Sequence, residues 1–237
     1  MNKPIIGIVS KHYATYKSNK IDTFIRDEVK QAIFDNGGIA IGILPTETNI
    51  NYCGDNWKDN LSIDEKENLI TQLELCDGII LQGGAETDNY ENIIAKYCYE
   101  NDVPILGICA GQNNIARALG GTTYKIPNPE KHDKSFDVYV HSININKSSK
   151  FYEIVQTDKM QVNSRHKRTI KECPNLDKVA FCADGYPDVI EAKNKTFYIG
   201  VRFHPESLYK IDKNHNKIFK EFITVCKRRY YGINRKH

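Results

Sequence analysis

Strand-like and helix-like segments alternate through the first half of the chain, and this alternation constrains the fold more than any other feature of the sequence. The strand-like segments are short apolar runs, at PIIGIVS (4–10), IAIGILP (39–45), DGIILQGG (77–84) and VPILGIC (103–109). Apolar residues at helical spacing follow each run and predict helices over 22–36, 62–75, 90–102 and after Cys109. This order is typical of a parallel sheet with helices on both faces.

Two of these helices carry end signals. The first is expected to begin at Asp22 or Thr23 as N-cap and to stop at the glycine pair 37–38. The second has Ser62 and Glu65 at capping-box spacing. Both signals support the assignment of these two segments as helices.

The second half of the chain has a different character. Strand-like runs with short connections lie at 136–146, 178–184, 188–194 and 196–203, and an amphipathic helix is predicted over 213–229. We therefore expect one domain, 1–237, of the α/β class. Its sheet should be mostly parallel, with a small additional antiparallel element.

Composition and cysteine pattern exclude several classes of protein. The net charge of +3 is too small to imply nucleic-acid binding, and the apolar runs are too short for a membrane span or a signal peptide. Seven cysteines, with no CxxC pair, argue against a disulfide framework or a zinc site. We expect a cytoplasmic protein with no metal, no membrane and no nucleic-acid partner.

Cys109 stands at the junction between the fourth strand and the helix that follows it. In a parallel α/β sheet, ligands bind outside the carboxyl ends of the strands, where Cys109 and the glycine pair 83–84 both lie. Gly107 and Gly111 give the G-x-C-x-G spacing of a nucleophile elbow. A helix N-terminus favours a thiolate, and the N–H of Ala110 could stabilise an oxyanion. On this motif alone, a nucleophile and a tight structural turn are about equally favoured.

A cysteine nucleophile needs a histidine base and an orienting carboxylate. His204 follows the strand-like run at 196–203, and Glu206 comes two residues later. Residues i and i+2 of an extended segment point the same way, so Glu206 can stand behind His204. This pairing favours the nucleophile interpretation of Cys109.

Several segments resemble the class I glutamine amidotransferase-like hydrolases, and specifically their γ-glutamyl-γ-aminobutyrate hydrolase branch. The resemblance spans nearly the whole chain. The segments that carry it are DNGGIAIGILP (35–45), IILQGGAETDNYE (79–91), GICAGQN (107–113), RALGGTTY (117–124), VNSRH (162–166) and GVRFHPE (200–206).

The resemblance implies a flavodoxin-like three-layer sandwich with a Cys109–His204–Glu206 triad. The backbone N–H groups of Gly84 and Ala110 would form the oxyanion hole. The substrate would be a small γ-glutamyl compound, no metal or organic cofactor would be required, and a homodimer is expected.

The resemblance also implies which residues bind the substrate. They are Gly83, Asn113, Ser164 and His166. His166 should border the pocket without acting as general base, whereas His141 is expected to be a packed strand residue.

The chain departs from the family pattern near the expected site. The departures are Ala110 in place of a large residue, Asn113 in place of glutamine, Lys167 and Arg168 after His166, Arg202-Phe203 in place of Gln-Trp, and Glu86 in place of aspartate. Several of them add positive charge. One hypothesis is that Lys167, Arg168 or Arg202 receives a leaving group more acidic than γ-aminobutyrate; the alternative is solvated loop side chains.

Three functions remain open at the level of sequence. The first is a stand-alone cysteine hydrolase of γ-glutamyl amides. The second is a glutaminase that delivers ammonia to a separate synthetase partner. The third is a non-catalytic binding relative with an altered pocket.

Overall fold

The computed structural model describes residues 3–14, 21–47, 54–84, 89–135 and 138–234. In these ranges the strands are β1 (Ile5–Val9), β2 (Lys11–Ala14), β3 (Ile21–Phe24), β4 (Ile39–Ile43), β5 (Gly78–Leu81), β6 (Ile105–Ile108), β7 (Thr122–Lys125), β8 (Asp133–Ser135), β9 (His141–Ile145), β10 (Lys159–Val162), β11 (Ser164–Arg165), β12 (Arg168–Glu172), β13 (Asp177–Cys182), β14 (Pro187–Glu191) and β15 (Tyr198–Val201). The helices are α1 (Asp27–Asp35), α2 (Ile63–Glu74), α3 (Asn89–Glu100), α4 (Ala110–Ala118), α5 (Lys150–Val155), α6 (Pro205–Leu208) and α7 (Lys213–Asn234).

Within the described ranges, nine strands form one sheet in the order β10-β9-β13-β14-β15-β6-β5-β1-β4. Strands β4, β1, β5, β6 and β15 are parallel to one another. The other four are antiparallel to their neighbours and continue the same sheet. The predicted α/β class is confirmed, and the antiparallel element is this four-strand extension together with short two-stranded ladders.

Helices cover both faces of the sheet, as the alternating pattern predicts. Helices α1, α5 and α7 pack on one face, and α2, α3 and α4 on the other. Strand β5 is continuously apolar because both of its faces are buried. Ile80 packs in the core on the α1, α5 and α7 side, whereas Ile79 and Leu81 pack in the core on the α2, α3 and α4 side. A strand buried on both faces has no solvent side on which to place polar residues.

The expected start of the first helix at Asp22 or Thr23 is wrong. Residues 21–24 form β3, which pairs with β2, and α1 begins after Arg26, which makes no side-chain cap bond. The backbone N–H of Arg26 donates to the Gln82 side chain instead, so tertiary contacts fix this end. Apolar Phe24 and Ile25 match helical spacing, but they precede the helix.

Other predicted ends agree with the structure. Gly37 follows α1 with a φ of 87°, which glycine adopts without strain. The Ser62–Glu65 capping box before α2 is confirmed in both directions. The expected strand at 136–146 is shorter: β9 covers His141–Ile145, and residues 136–137 lie outside the described ranges.

None of the helices among the described residues is both long enough and apolar enough to cross a bilayer.

Candidate active site

The predicted site elements meet at the carboxyl ends of three neighbouring strands. Gly83 and Gly84 follow β5, Cys109 follows β6, and His204 follows β15. Strands β5, β6 and β15 are adjacent and parallel in the sheet. Residues distant in the chain therefore reach the same edge, where ligands of such sheets bind.

Cys109 occupies a strained turn. Its φ of 53° and ψ of −102° lie outside the common regions for a non-glycine residue, and it is the N-cap of α4. Its backbone N–H donates to the carbonyl oxygen of Val201 at 2.8 Å. This bond to the neighbouring strand holds the turn in place, as expected for a nucleophile elbow.

The two elbow glycines are sterically required. A Cβ on Gly107 would lie 2.6 Å from the backbone oxygen of Gly111. A Cβ on Gly111 would overlap the backbone carbonyl of Leu81 on β5. The G-x-C-x-G spacing thus reflects close approach of backbone to backbone on both sides of Cys109.

We expect Gly111→Ala to destabilise the protein by at least about 3 kcal/mol, because the added methyl group meets a strand backbone that cannot move aside. Urea unfolding measures the change. The matched control is Gly232→Ala in α7, where a Cβ meets no atom within 4 Å. That control should be as stable as the parent or more so by up to about 1 kcal/mol, and equal stability of both variants would contradict the steric argument.

His204 is held by a buried carboxylate. Its Nδ1 lies 2.7 Å from Oε1 of Glu206, and both side chains are at most 3% exposed. A proton on Nδ1 donates to this carboxylate, which leaves Nε2 for exchange with the Cys109 thiol. The predicted contact is present, but the segment is not extended as expected: His204 is the N-cap of α6 and Glu206 lies in its first turn, so the helix start brings the two side chains together.

The charges of this group favour a thiolate. Burial alone would raise the pKa of the Cys109 thiol, but the charge and hydrogen bond of His204, aided by Arg202, bring that pKa below its ordinary value. Burial would lower the pKa of His204, yet Glu206 and Cys109 raise it to about 10. Both shifts favour a thiolate–imidazolium pair over two neutral side chains.

Asn163 positions His204 and was not singled out from the sequence. Its Oδ1 accepts the backbone N–H of His204 at 2.7 Å, and its Nδ2 donates to the backbone oxygen of His204 at 2.9 Å. The side chain is fully buried. The only sequence signal for it was its place inside the VNSRH segment.

Gly83 and Gly84 let the loop after β5 pack against Cys109 and His204. A Cβ on Gly83 would lie 2.7 Å from Cε1 of His204 and 3.4 Å from Cβ of Cys109. A Cβ on Gly84 would press on the buried side chain of Lys11 at 3.0 Å. The following residues 85–88, including Glu86, lie outside the described ranges.

Arg202 lies behind the elbow. It is 2% exposed; its Nη2 donates to Oδ1 of Asn113 at 2.8 Å, and its Nη1 to the backbone oxygen of Cys109 at 3.4 Å. Burial lowers the pKa of Arg202 to about 10, so it stays charged at neutral pH. The amide oxygen of Asn113, a predicted substrate contact, is thereby engaged by Arg202.

Ser164 and His166 lie on the segment that borders Cys109. The backbone oxygen of Arg165 is 4.0 Å from Sγ of Cys109. Ser164 Oγ donates to the carbonyl of His132 at 2.6 Å, and His166 Nδ1 is 2.9 Å from the same hydroxyl. Because the hydroxyl proton is used, we assign the proton of His166 to Nδ1.

Nε2 of His166 is then a lone-pair acceptor, buried and without a hydrogen-bond partner among the described residues. Burial, with the nearby charge of Arg202, lowers the pKa of His166 to about 2. A neutral imidazole of such low basicity is a poor general base, in line with the expected border role.

The other two cations expected near the site have protein partners. Lys167 Nζ is 3.2 Å from Asp133 and the lysine side chain is 71% exposed. Arg168 donates to the hydroxyl of Thr123 at 2.9 Å and to its backbone oxygen at 3.2 Å. Of the three cations, Arg202 is the one that contacts the elbow.

Comparison with known proteins gives one family match. The family model described as Peptidase C26 matches residues 85–206, a range that contains Cys109, His204 and Glu206.

Two curated relatives differ in how much of their length is matched. A CTP synthase from Chlamydia trachomatis is 28% identical over 195 residues, covering 69% of this chain and 36% of that protein. The chain thus spans about a third of the length of the CTP synthases it matches. A glutamine amidotransferase-like protein from Rickettsia prowazekii is 27% identical, covering 87% of this chain and 92% of that protein.

Solved structures share the fold. A Thermoplasma acidophilum protein, provisionally assigned as one component of a GMP synthase, superposes with a TM-score of 0.69 at 20% identity, over 99% of both chains. A Thermotoga maritima glutamine amidotransferase superposes with a TM-score of 0.57 at 13% identity, over 97% of this chain and 98% of that one. At these identities the likeness extends to architecture alone.

Proposed function

The chain belongs to the Peptidase C26 family, and on that premise we propose that it is a cysteine hydrolase of the γ-glutamyl amide bond of a small compound. The family and the glutamine amidotransferase-like relatives imply an amide-bond hydrolase. The observation that carries the proposal is the buried series of Cys109, His204 and Glu206 at a strained strand-to-helix turn. The γ-glutamyl-γ-aminobutyrate hydrolase motifs support the γ-glutamyl part of the proposal.

In the first half-reaction, the Cys109 thiolate attacks the γ-carbonyl carbon and an S–C bond forms. The oxyanion accepts hydrogen bonds from the backbone N–H groups of Ala110 and Gly84. Ala110 is the first residue of α4, so its N–H has no intrahelical acceptor. The C–N bond then breaks, and the leaving amine takes the proton from Nε2 of His204.

In the second half-reaction, neutral His204 accepts a proton from water, and the resulting hydroxide attacks the thioester. The C–S bond breaks, glutamate leaves, and the thiolate–imidazolium pair is restored. Glu206 keeps its hydrogen bond to Nδ1 in both halves and stabilises the imidazolium whenever it forms.

We assign the α-ammonium group of the substrate as the hydrogen-bond donor to Nε2 of His166. Nε2 of His166 is an acceptor without a partner among the described residues, on the segment that borders Cys109. An unpaired buried acceptor is costly, and a substrate N–H removes that cost on binding.

The experiment that tests the function compares hydrolysis of γ-glutamyl amides with that of the isomeric α-glutamyl amides. We expect turnover of the γ-linked compounds alone, measured as released glutamate. Release from α-linked compounds at equal rates would contradict the γ-glutamyl assignment.

The same assay tests the leaving-group hypothesis. If Lys167 or Arg168 receives an acidic leaving group, carboxylate-bearing amides should turn over faster than neutral ones. Replacing either cation by glutamine should then reduce that preference by about tenfold, the effect of one charge-assisted hydrogen bond. Lys171→Gln, on the exposed end of β12, is the control and should leave the preference unchanged. Equal rates for acidic and neutral amides would remove the hypothesis.

A second candidate function is a glutaminase that delivers ammonia to a separate synthetase. The match to about a third of the CTP synthases favours it, since this chain then corresponds to one part of a larger synthase. Glutaminase activity that rises on addition of a synthetase partner would support this alternative.

The third candidate, a non-catalytic binding relative, predicts an unreactive Cys109. Intact-protein mass spectrometry with a γ-glutamyl electrophile distinguishes it, because a binding protein would remain unlabelled.

A further inference from the structure

Two histidines and a cysteine lie close together beside the active site, in the antiparallel part of the sheet. One ring nitrogen from each of His132 and His141 and the Sγ of Cys182 all lie within 4.8 Å of one another. Cys182 on β13 pairs with Ile143 on β9, and His141 is two residues from Ile143, so both side chains lie on one face. His132 follows the short 3₁₀ turn Pro129–Lys131.

Each imidazole is oriented by a carboxylate through its Nε2 atom. His132 Nε2 is 3.1 Å from Asp184, and His141 Nε2 is 3.4 Å from Asp188. A carboxylate partner keeps the ring proton on Nε2, which leaves a lone pair on each Nδ1. Both Nδ1 atoms are buried and have no hydrogen-bond partner among the described residues.

Hydrogen bonding within the cluster does not satisfy these atoms. The thiol of Cys182 carries one proton, so it can serve at most one of the two Nδ1 lone pairs. Leaving the other buried acceptor unpaired is costly. A single cation bound by both nitrogens and the sulfur satisfies all three atoms together.

We propose that His132, His141 and Cys182 bind one divalent transition-metal ion of the zinc class. Two imidazole nitrogens and one thiolate form the donor set that zinc and cobalt prefer over the oxygen ligands of magnesium or calcium. Tetrahedral zinc places its donors about 3.3–3.6 Å apart, so donors that lie within 4.8 Å of one another would close by at most about 1.5 Å on binding. The fourth position is open to water or an exogenous ligand.

The metal would anchor the segment that borders the nucleophile. The backbone oxygen of His132 accepts hydrogen bonds from Ser164 Oγ at 2.6 Å and from the N–H of His166 at 3.2 Å. The intervening Arg165 places its backbone oxygen 4.0 Å from Sγ of Cys109. Fixing His132 to the sheet therefore fixes this wall of the active site, and the ion has a positioning role.

Metal binding is tested on the full chain carrying Cys109→Ala, because the Cys109–His204 pair also offers soft donors. Cobalt(II) is added to chelator-treated protein. We expect one equivalent to bind, with a thiolate-to-cobalt charge-transfer band and the strong visible bands of tetrahedral coordination. Zinc should displace it and raise Tm.

Variants in the same background assign the ligands. Cys182→Ser and His141→Asn should remove the charge-transfer band and the tetrahedral spectrum respectively, whereas Cys173→Ser, a half-buried cysteine outside the cluster, should retain both. Asp184→Asn should weaken binding about tenfold, since it removes only the partner of His132.

The proposal is wrong if the Cys109→Ala protein shows no charge-transfer band, or if Cys182→Ser retains it. The first result is obtained with all three proposed metal ligands present. It therefore tests metal binding even if a substitution of one ligand prevents folding. Because binding is measured in a protein without the nucleophile, its outcome is separate from that of the proposed hydrolase function.

Discussion

Cys109→Ala is expected to lower kcat for γ-glutamyl amide hydrolysis by about four orders of magnitude or more. In the proposed mechanism the thiolate sulfur forms the acyl intermediate, and Cys109 is the only residue of the elbow, residues 107–111, with a nucleophilic side chain. What activity remains should come from substrate binding and the oxyanion donors alone. The fold should be retained, because alanine keeps the Cβ atom of cysteine and adds no atom that could clash. Circular dichroism checks this.

A covalent label gives an independent measurement of the same residue. A diazo-ketone glutamine analogue should add once per chain to the parent protein, with the modified peptide containing Cys109, and should not add to Cys109→Ala. The matched control is Cys173→Ala, which removes a half-buried thiol outside the site and should leave labelling and turnover intact. Turnover that survives in Cys109→Ala, or labelling that persists there, would contradict the assignment.

The parts of the site that could be predicted from sequence depend on short-range geometry. The elbow is one such part, because its G-x-C-x-G spacing lies within five residues and the contact that requires Gly107 is with Gly111 itself; the contact that requires Gly111 is with Leu81 on β5. The His204–Glu206 contact is another, although for a different reason from the one expected: the segment is not extended, and the turn from His204 into α6 brings the Glu206 carboxylate to Nδ1. The helices on both faces follow equally from local periodicity.

The residue pattern could not predict which distant segments lie side by side in the sheet. The residue pattern alone does not indicate that β15 lies directly beside β6, the pairing that joins His204 to Cys109; only the family resemblance implied that these two side chains meet. Arg202 resembles a substrate-facing cation in the sequence, but its place after β15 buries it against the elbow backbone. Register and burial are decided by tertiary packing, which a single sequence leaves open.

The same limit applies to the proposed metal ligands. His132, His141 and Cys182 lack the short, regular spacing by which zinc sites are found in sequences, and the absence of CxxC pairs argued against one. Their proximity depends on the pairing of β9 with β13 and on the turn before β8. Only the folded sheet brings these donors together.

Glu206→Gln should lower kcat about 10²–10⁴-fold while leaving the protein folded. Glutamine has the same shape, but it loses the charge that stabilises the imidazolium and can donate to Nδ1, favouring the wrong tautomer of His204. Comparison of kcat and KM with the parent separates this from a binding defect, and thermal unfolding checks the fold. Glu67→Gln, on the exposed face of α2, is the matched control and should behave as the parent.

The pH dependence of kcat/KM distinguishes a role of Glu206 in charging His204 from a role in the fold alone. In the parent, kcat/KM should fall on the acid side as the Cys109 thiolate, whose pKa is below its ordinary value, takes up a proton. It should fall on the alkaline side as His204 loses its proton near pH 10. Glu206 is the largest influence raising that His204 pKa, so in Glu206→Gln the alkaline limb should move to lower pH. An unchanged alkaline limb would mean that Glu206 supports the fold rather than the charge on His204.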